Sequence, residues 1–163
     1  MSDWTPQERK IKTPYGIIHY GGSCNDHYAN FRTIDQFPGN DGNVVLTLQG
    51  PAMRAFIAAQ VRYARRTMDK KKFDTFIKKN PNGRPIIILA GTNRSCSTQR
   101  SLWLSDKNRY ASPDITGHTR GLAIDRSNAQ PNLNIVDQCL AAEGWNRTRP
   151  DDEPWHWSYG VTI

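Results

Sequence analysis

Between Pro51 and Met68 the apolar residues Met53, Ile57, Val61, Ala64 and Met68 recur at steps of three and four, the spacing of one face of an α-helix. Arg54, Arg62, Arg65 and Arg66 fall mainly off that stripe, which predicts a helix with a basic exposed side. A second, shorter helix is predicted over 73–79, ended by Asn80-Pro81-Asn82-Gly83. The pattern then changes to short runs. Arg84–Gly91 is an aliphatic stretch bounded by Pro85 and Gly91 and predicts a buried strand, and Ser97–Leu104 a short helix opened by a Ser cap. Gly121–Asp125 predicts a strand, Leu133–Ala142 a helix closed by Gly144, and Trp155–Tyr159 a final strand. The first 50 residues are rich in Gly, Asn, Asp and Pro, with short apolar pieces at Tyr15–Ile18 and Val44–Leu46. There, the cluster at 39–43 predicts a turn leading into a strand at 44–48. Helices and strands alternate, yet they are too few and too short for repeated βαβ units, so an α+β fold is expected. With no internal repeat and no linker, residues 1–163 are expected to form a single domain.

Charge and cysteine content narrow the partners and the compartment. Fourteen Lys and Arg against seven Asp and Glu precede Arg94, and the remainder of the chain is balanced, so the net +7 lies in the first half, mostly over 54–84. A basic surface of this kind implies a polyanionic neighbour. No aromatic-interleaved basic motif accompanies it, which argues against nucleic acid. The longest aliphatic run is strand-sized, so no membrane span is expected, and Met1–Lys10 lacks the apolar region of a secretory signal. A monomer made in the cytosol is the expectation. Three cysteines, Cys24, Cys96 and Cys139, without a C-x-x-C pairing argue against a disulfide framework or a cysteine zinc site, and three reduced thiols are expected.

Chemistry concentrates in the second half, where two of the four histidines stand near carboxylates. In a strand beginning at Gly121, Leu122 and Ile124 point to the core while Gly121, Ala123 and Asp125 share the other face. That face is otherwise small, as the floor of a site needs to be. Gly117 and Gly121 supply the bend that brings His118 round towards Asp125. In the final strand, His156 and Ser158 share a face, and Glu153 lies on the preceding turn, where Pro154 fixes the chain direction. Two histidines, one carboxylate and a separate glutamate make up the inventory of a catalytic zinc site: three ligands, and a base in reach of a water on the metal. The same residues also suit ordinary core-edge histidines beside unrelated acids, and spacing alone leaves both readings open.

The motifs Thr116-x-His118-x6-Asp125, with Gly121 and Ala123 between, and Glu153-Pro154-Trp155-His156 resemble those of the LAS zinc peptidases, the group of lysostaphin, the D-Ala-D-Ala metallopeptidases and sonic hedgehog. The resemblance is to the D-alanyl-D-alanine carboxypeptidase/dipeptidase branch, which includes phage endolysins, and it covers about residues 51–163; the turn-rich 1–50 part has no match. Gly91-Thr92-Asn93-Arg94-Ser95 with Gln99 is similar to that branch's Gly-Tyr-Arg-Ser segment, with Asn93 in place of Tyr, and Thr116 stands where Ser is usual. The resemblance implies a small antiparallel sheet with helices packed on one side and zinc on the open face. It further implies zinc held by His118, Asp125 and His156, Glu153 as general base, Arg94 as oxyanion or carboxylate partner, and Gln99 and Thr116 at the substrate. The implied substrate is a peptidoglycan stem peptide, cut by an endolysin that acts after release from the cytoplasm into the periplasm or wall. A bacterial D,D-carboxypeptidase or D-Ala-D-Ala dipeptidase would share these residues, and an idle zinc module would lack the need for Glu153. The basic 54–84 region is expected to meet anionic wall polymers or lipopolysaccharide.

Overall fold

In the computed structural model, which describes residues 8–24, 31–39, 42–79, 87–91, 94–113 and 116–161, six strands make one sheet in the order β4-β3-β5-β6-β8-β7. These are β3 (Phe31–Gly39), β4 (Gly42–Gln49), β5 (Leu89–Gly91), β6 (Ala123–Arg126), β7 (Trp145–Asn146) and β8 (His156–Tyr159). Neighbours pair antiparallel except β3 and β5, which meet in parallel at Gly39↔Leu89. A separate hairpin joins β1 (Arg9–Thr13) to β2 (Gly16–Tyr20). The α+β architecture expected from the sequence is therefore present; the strand expected at 44–48 lies within β4, and three further strands occupy the first 50 residues, which were read mainly as turns. The predicted turn at 39–43 includes residues 40–41, which lie outside the described residues, as do Asn80–Gly83 and residues 84–86 of the predicted strand at 84–91, whose last three residues form β5.

Five helices flank the strands: α1 (Gly50–Thr67), α2 (Lys70–Lys79), α3 (Cys96–Ser105), α4 (Gly117–Arg120) and α5 (Leu133–Ala142). Pro51 sits in the first turn of α1, where its missing N–H leaves no bond unmade. Met53 and Ala64 of the predicted stripe are buried, but the buried face of α1 is wider and centred on Ala52, Ala55, Phe56, Ala59 and Tyr63; Ile57 and Val61 lie at its edge, half-buried. Small alanines let the helix axis approach the sheet, and Phe56 fills the space between, with its ring edge-on to Trp145 at 6.2 Å. Truncating Phe56 to Ala would cost roughly 3–5 kcal/mol. Leu46, Leu48, Leu122, Ile124, Trp157 and Tyr159 complete the cluster from the sheet, and Val136 and Leu140 from α5. Arg54, Arg62, Arg65 and Arg66 are exposed, as the sequence pattern predicts. Helix α3 begins one residue earlier than expected, and Ser95 caps it by accepting a hydrogen bond from the Thr98 N–H at 3.1 Å.

Two buried polar side chains lock the N-terminal hairpin to the second half. The Gln49 amide bonds both the N–H and the C=O of His19 at 2.8 Å and donates to the Arg120 carbonyl at 2.7 Å. Arg120, fully buried, donates to the carbonyls of Gly21, Gly22 and Ser23 at 2.8, 2.5 and 3.2 Å. The expectation of three reduced thiols is corrected: Cys24 and Cys96 form a disulfide, and only Cys139 is a free, buried thiol. Residues 72 apart in sequence are brought to a Cα separation of 5.9 Å by the fold, which no spacing rule reveals. Closing so long a loop is worth about 4 kcal/mol in the chain-entropy account. Among the described residues no helix is long and apolar enough to cross a membrane.

Candidate metal centre

Strand pairing brings the candidate ligands together. In the β6–β8 ladder Asp125 lies directly opposite His156 and Ala123 opposite Ser158, while Leu122, Ile124, Trp157 and Tyr159 turn to the core on the other face. His118 arrives from α4, a single turn of four residues. Thr116 caps that turn by accepting from the His118 N–H at 3.3 Å, and Gly121 ends it in the left-handed conformation at φ 67°. A Cβ at Gly121 would lie 2.8 Å from the Phe31 ring and 3.0 Å from the Gln49 nitrogen, so both conformation and space require glycine. The sequence places the bend correctly, but it does not show that His118 stands on a helical turn; four residues are too few to carry a period.

Asp125 Oδ1 stands 3.0 Å from His156 Nδ1 and 3.3 Å from His118 Nε2, and the three ligand atoms all lie within 4.8 Å of one another. Both imidazoles are buried and Asp125 is nearly so. Burial by itself would raise the Asp125 pKa, but hydrogen bonds from His118 and His156, and their charge, outweigh it and hold the carboxyl well below the usual range. Ser158 Oγ lies 3.2 Å from His156 Nε2, the ring nitrogen turned away from Asp125, and so holds the ring orientation.

These residues fit a metal ion. Two ligand atoms of one tetrahedral zinc, each about 2.1 Å away, are separated by roughly 3.4 Å, which is close to the spacing found. Gly91 faces Asp125 from β5, and a Cβ there would come within 3.0 Å of Oδ2. The floor beside the carboxylate is thus open only because residue 91 has no side chain.

A cavity of about 110 Å³ opens over this group, and Arg94, Gln99, Thr116 and Glu153, all singled out from the sequence, line it. Glu153 lies on the turn before β8, with its carbonyl accepting from the His156 N–H at 3.0 Å. Arg94 Nη2 is 3.9 Å from Asp125 Oδ2, and its Nη1 donates to Gln99 Oε1 at 3.1 Å; Gln99 in turn donates to the Ala111 carbonyl at 2.8 Å. Asn93 lies outside the described residues. Four further lining residues escaped the sequence reading: Arg109, Tyr110, Ala111 and Arg149. Arg149 Nη1 lies 3.7 Å from Glu153 Oε2, a pairing whose four-residue spacing was visible; Arg109 and Tyr110 sit on a turn held by Asp106 and gave no signal.

No protein-family model matches this chain, and no curated protein matches it. Solved structures do. The LdcB LD-carboxypeptidase, a structure described as revealing the basis of peptidoglycan recognition, aligns over 86% of this chain and 72% of its own at 16% identity, with a TM-score of 0.53. VanYB in complex with D-alanine-D-alanine aligns over 85% of this chain and 83% of its own, also at 16% identity, with a TM-score of 0.41. At such identity the likeness to LdcB is one of fold, and it agrees with the α+β architecture expected from the sequence.

Proposed function

We propose that this chain is a zinc metallopeptidase that hydrolyses a peptide bond in the stem peptide of peptidoglycan and serves as a phage endolysin. The observation that carries this reading is the convergence of His118, Asp125 and His156 beneath a cavity whose lip holds Glu153. The shared fold with LdcB, an LD-carboxypeptidase, supports it, and keeps a bacterial carboxypeptidase acting on the same stem as the second reading. Zinc, when bound by these three residues, supplies Lewis acidity towards a carbonyl and a water. Glu153 accepts the proton of the attacking water and delivers it to the leaving amine nitrogen. Arg94, held by Gln99, faces the developing oxyanion, and Thr116 fixes the turn that presents His118. Ser158 orients the His156 ring.

The exposed arginines of α1 and lysines of α2 supply a surface for anionic wall polymers or lipopolysaccharide, on the side of the sheet away from the site. The Cys24–Cys96 bond suits work in an oxidising space outside the cytosol. The test is mass spectrometry of the fragments released from purified peptidoglycan, with and without a chelator. A new amino terminus within the stem identifies an endopeptidase; loss of a single terminal residue identifies a carboxypeptidase; no chelator-sensitive fragment at all overturns the proposal.

A further inference from the structure

The metal group stands between two cavities of different chemistry, and Asp125 lines both. The first, already described, is small and carries three guanidinium groups. The second is a wider, open cleft of about 460 Å³, walled by Trp155, Asn128, Ser127, Ala129, Ala90, Asp125 and Arg126. Its charged groups are paired internally. Arg126 donates to Asp137 through Nε at 2.6 Å and Nη2 at 3.1 Å, and to Asn128 Oδ1 through Nη1 at 2.8 Å. Asp125 faces the two histidines. The wall therefore presents an indole, an amide and small residues, and its two charged groups are each engaged, Arg126 by Asp137 and Asn128 and Asp125 by the two histidines.

The Asn128 oxygen is taken by Arg126, so its NH₂ is the end left for a ligand oxygen. A flat indole with hydrogen-bonding groups beside it suits a ligand with an apolar, weakly positive C–H face and a rim of hydroxyl and amide groups, because the ring face is negative and its edge positive. We infer that this second cleft binds an uncharged N-acetylated amino-sugar ring, so that the glycan end of a muropeptide lies over Trp155 while its peptide crosses the metal group. This rests on the peptidase reading for its purpose, though not for its test.

The experiment uses the whole chain, ¹⁵N-labelled, titrated with N,N′-diacetylchitobiose as the probe and watched at the Trp155 indole and Asn128 amide signals. A saturable shift at both is expected. Ala129→Trp, which fills the cleft, should abolish it. Asn128→Asp keeps an acceptor for Arg126 but removes the donor, and should weaken binding roughly fivefold, as for one neutral hydrogen bond. In turnover, Ala129→Trp should lower kcat/KM on a sugar-linked stem peptide by about tenfold and leave the sugar-free peptide unchanged. No saturable shift, a shift that survives both substitutions, or an equal loss on both peptides overturns the sugar site and leaves the peptidase reading standing. Sugar binding in the cleft, with neither peptide cut by the unaltered protein, overturns the peptidase reading and leaves the sugar site standing.

Discussion

The two faces of the six-stranded sheet both carry charge, and they use it in opposite ways. On the site face, Asp125 sits within hydrogen-bond distance of both His118 and His156, with both rings buried. On the helix face, Arg65, Arg66, Lys71, Lys72, Lys78 and Lys79 are exposed. Removed from water, a few groups have fixed protonation and direction, which is what binding an ion or moving a proton requires. Left in water, many groups give an attraction that reaches about a Debye length and fades with salt. The difference teaches that net charge, which drew attention to the first half of the chain, says little about where chemistry occurs.

The sharpest test of that contrast is removal of a buried ligand. His118→Ala, Asp125→Ala and His156→Ala should each abolish stoichiometric zinc, measured by elemental analysis of the purified protein, and should lower the melting temperature of the zinc-loaded form to that of the chelator-treated one. Full zinc in all three would remove the basis for a metal centre. Glu153→Gln comes next. It keeps the shape but cannot take a proton, so turnover on wall fragments should fall by about 10²–10⁴ while zinc content stays. Asp152→Asn, made in parallel, should act near the wild-type rate, since Asp152 pairs with Arg149 at 2.8 Å and does not line the cavity over the metal ligands. The reverse outcome would reassign the base.

On the helix face the expected effects are smaller. Reversing Arg65, Lys71, Lys72 and Lys78 together should weaken binding to whole walls and flatten its salt dependence, with hydrolysis of a short soluble peptide unchanged. Equal losses on both substrates would merge the two faces into one function. One place on this side does hold charge in fixed geometry. Glu143 accepts from Arg62 of α1 and from the Tyr15 hydroxyl of the β1–β2 turn. Burial, then the bond to Glu143 and its charge, push the Tyr15 hydroxyl up to about 12. A pKa raised on folding contributes stability in full below the unfolded value near 10 and loses it as pH rises towards 12. The stability gap between wild type and Tyr15→Phe, from urea unfolding, should therefore be constant up to about pH 9.5 and narrow above it. A gap that widens with alkali would show that the hydroxyl is not held as described.

Legibility followed the same division. The strand at Gly121–Asp125 and the helix at Leu133–Ala142 were readable because burial of one face imposes a period on sequence. The pairing of Asp125 with His156 was readable only through the motifs, since register across 31 residues is set by tertiary contact. The strand expected at 44–48 lies within β4, but strands β1 to β3 were hidden for the opposite reason. In β1 the residues Arg9, Lys10 and Lys12 are exposed, and pairing there is held by backbone bonds that leave no mark on composition. Arg120 shows the limit of charge as a guide: an arginine reads as surface, yet this one is fully buried because three consecutive carbonyls at 21–23 need a donor.

The bond between Cys24 and Cys96 also changes the topology of the molecule. It turns β3, β4, α1, α2 and β5 into a closed ring, with the hairpin on one side and the metal ligands on the other. A protease that cuts once anywhere from 25 to 95 opens that ring without dividing the protein. The fragments part only under a reductant, so damage in this stretch leaves the hairpin and the metal ligands in one covalent piece.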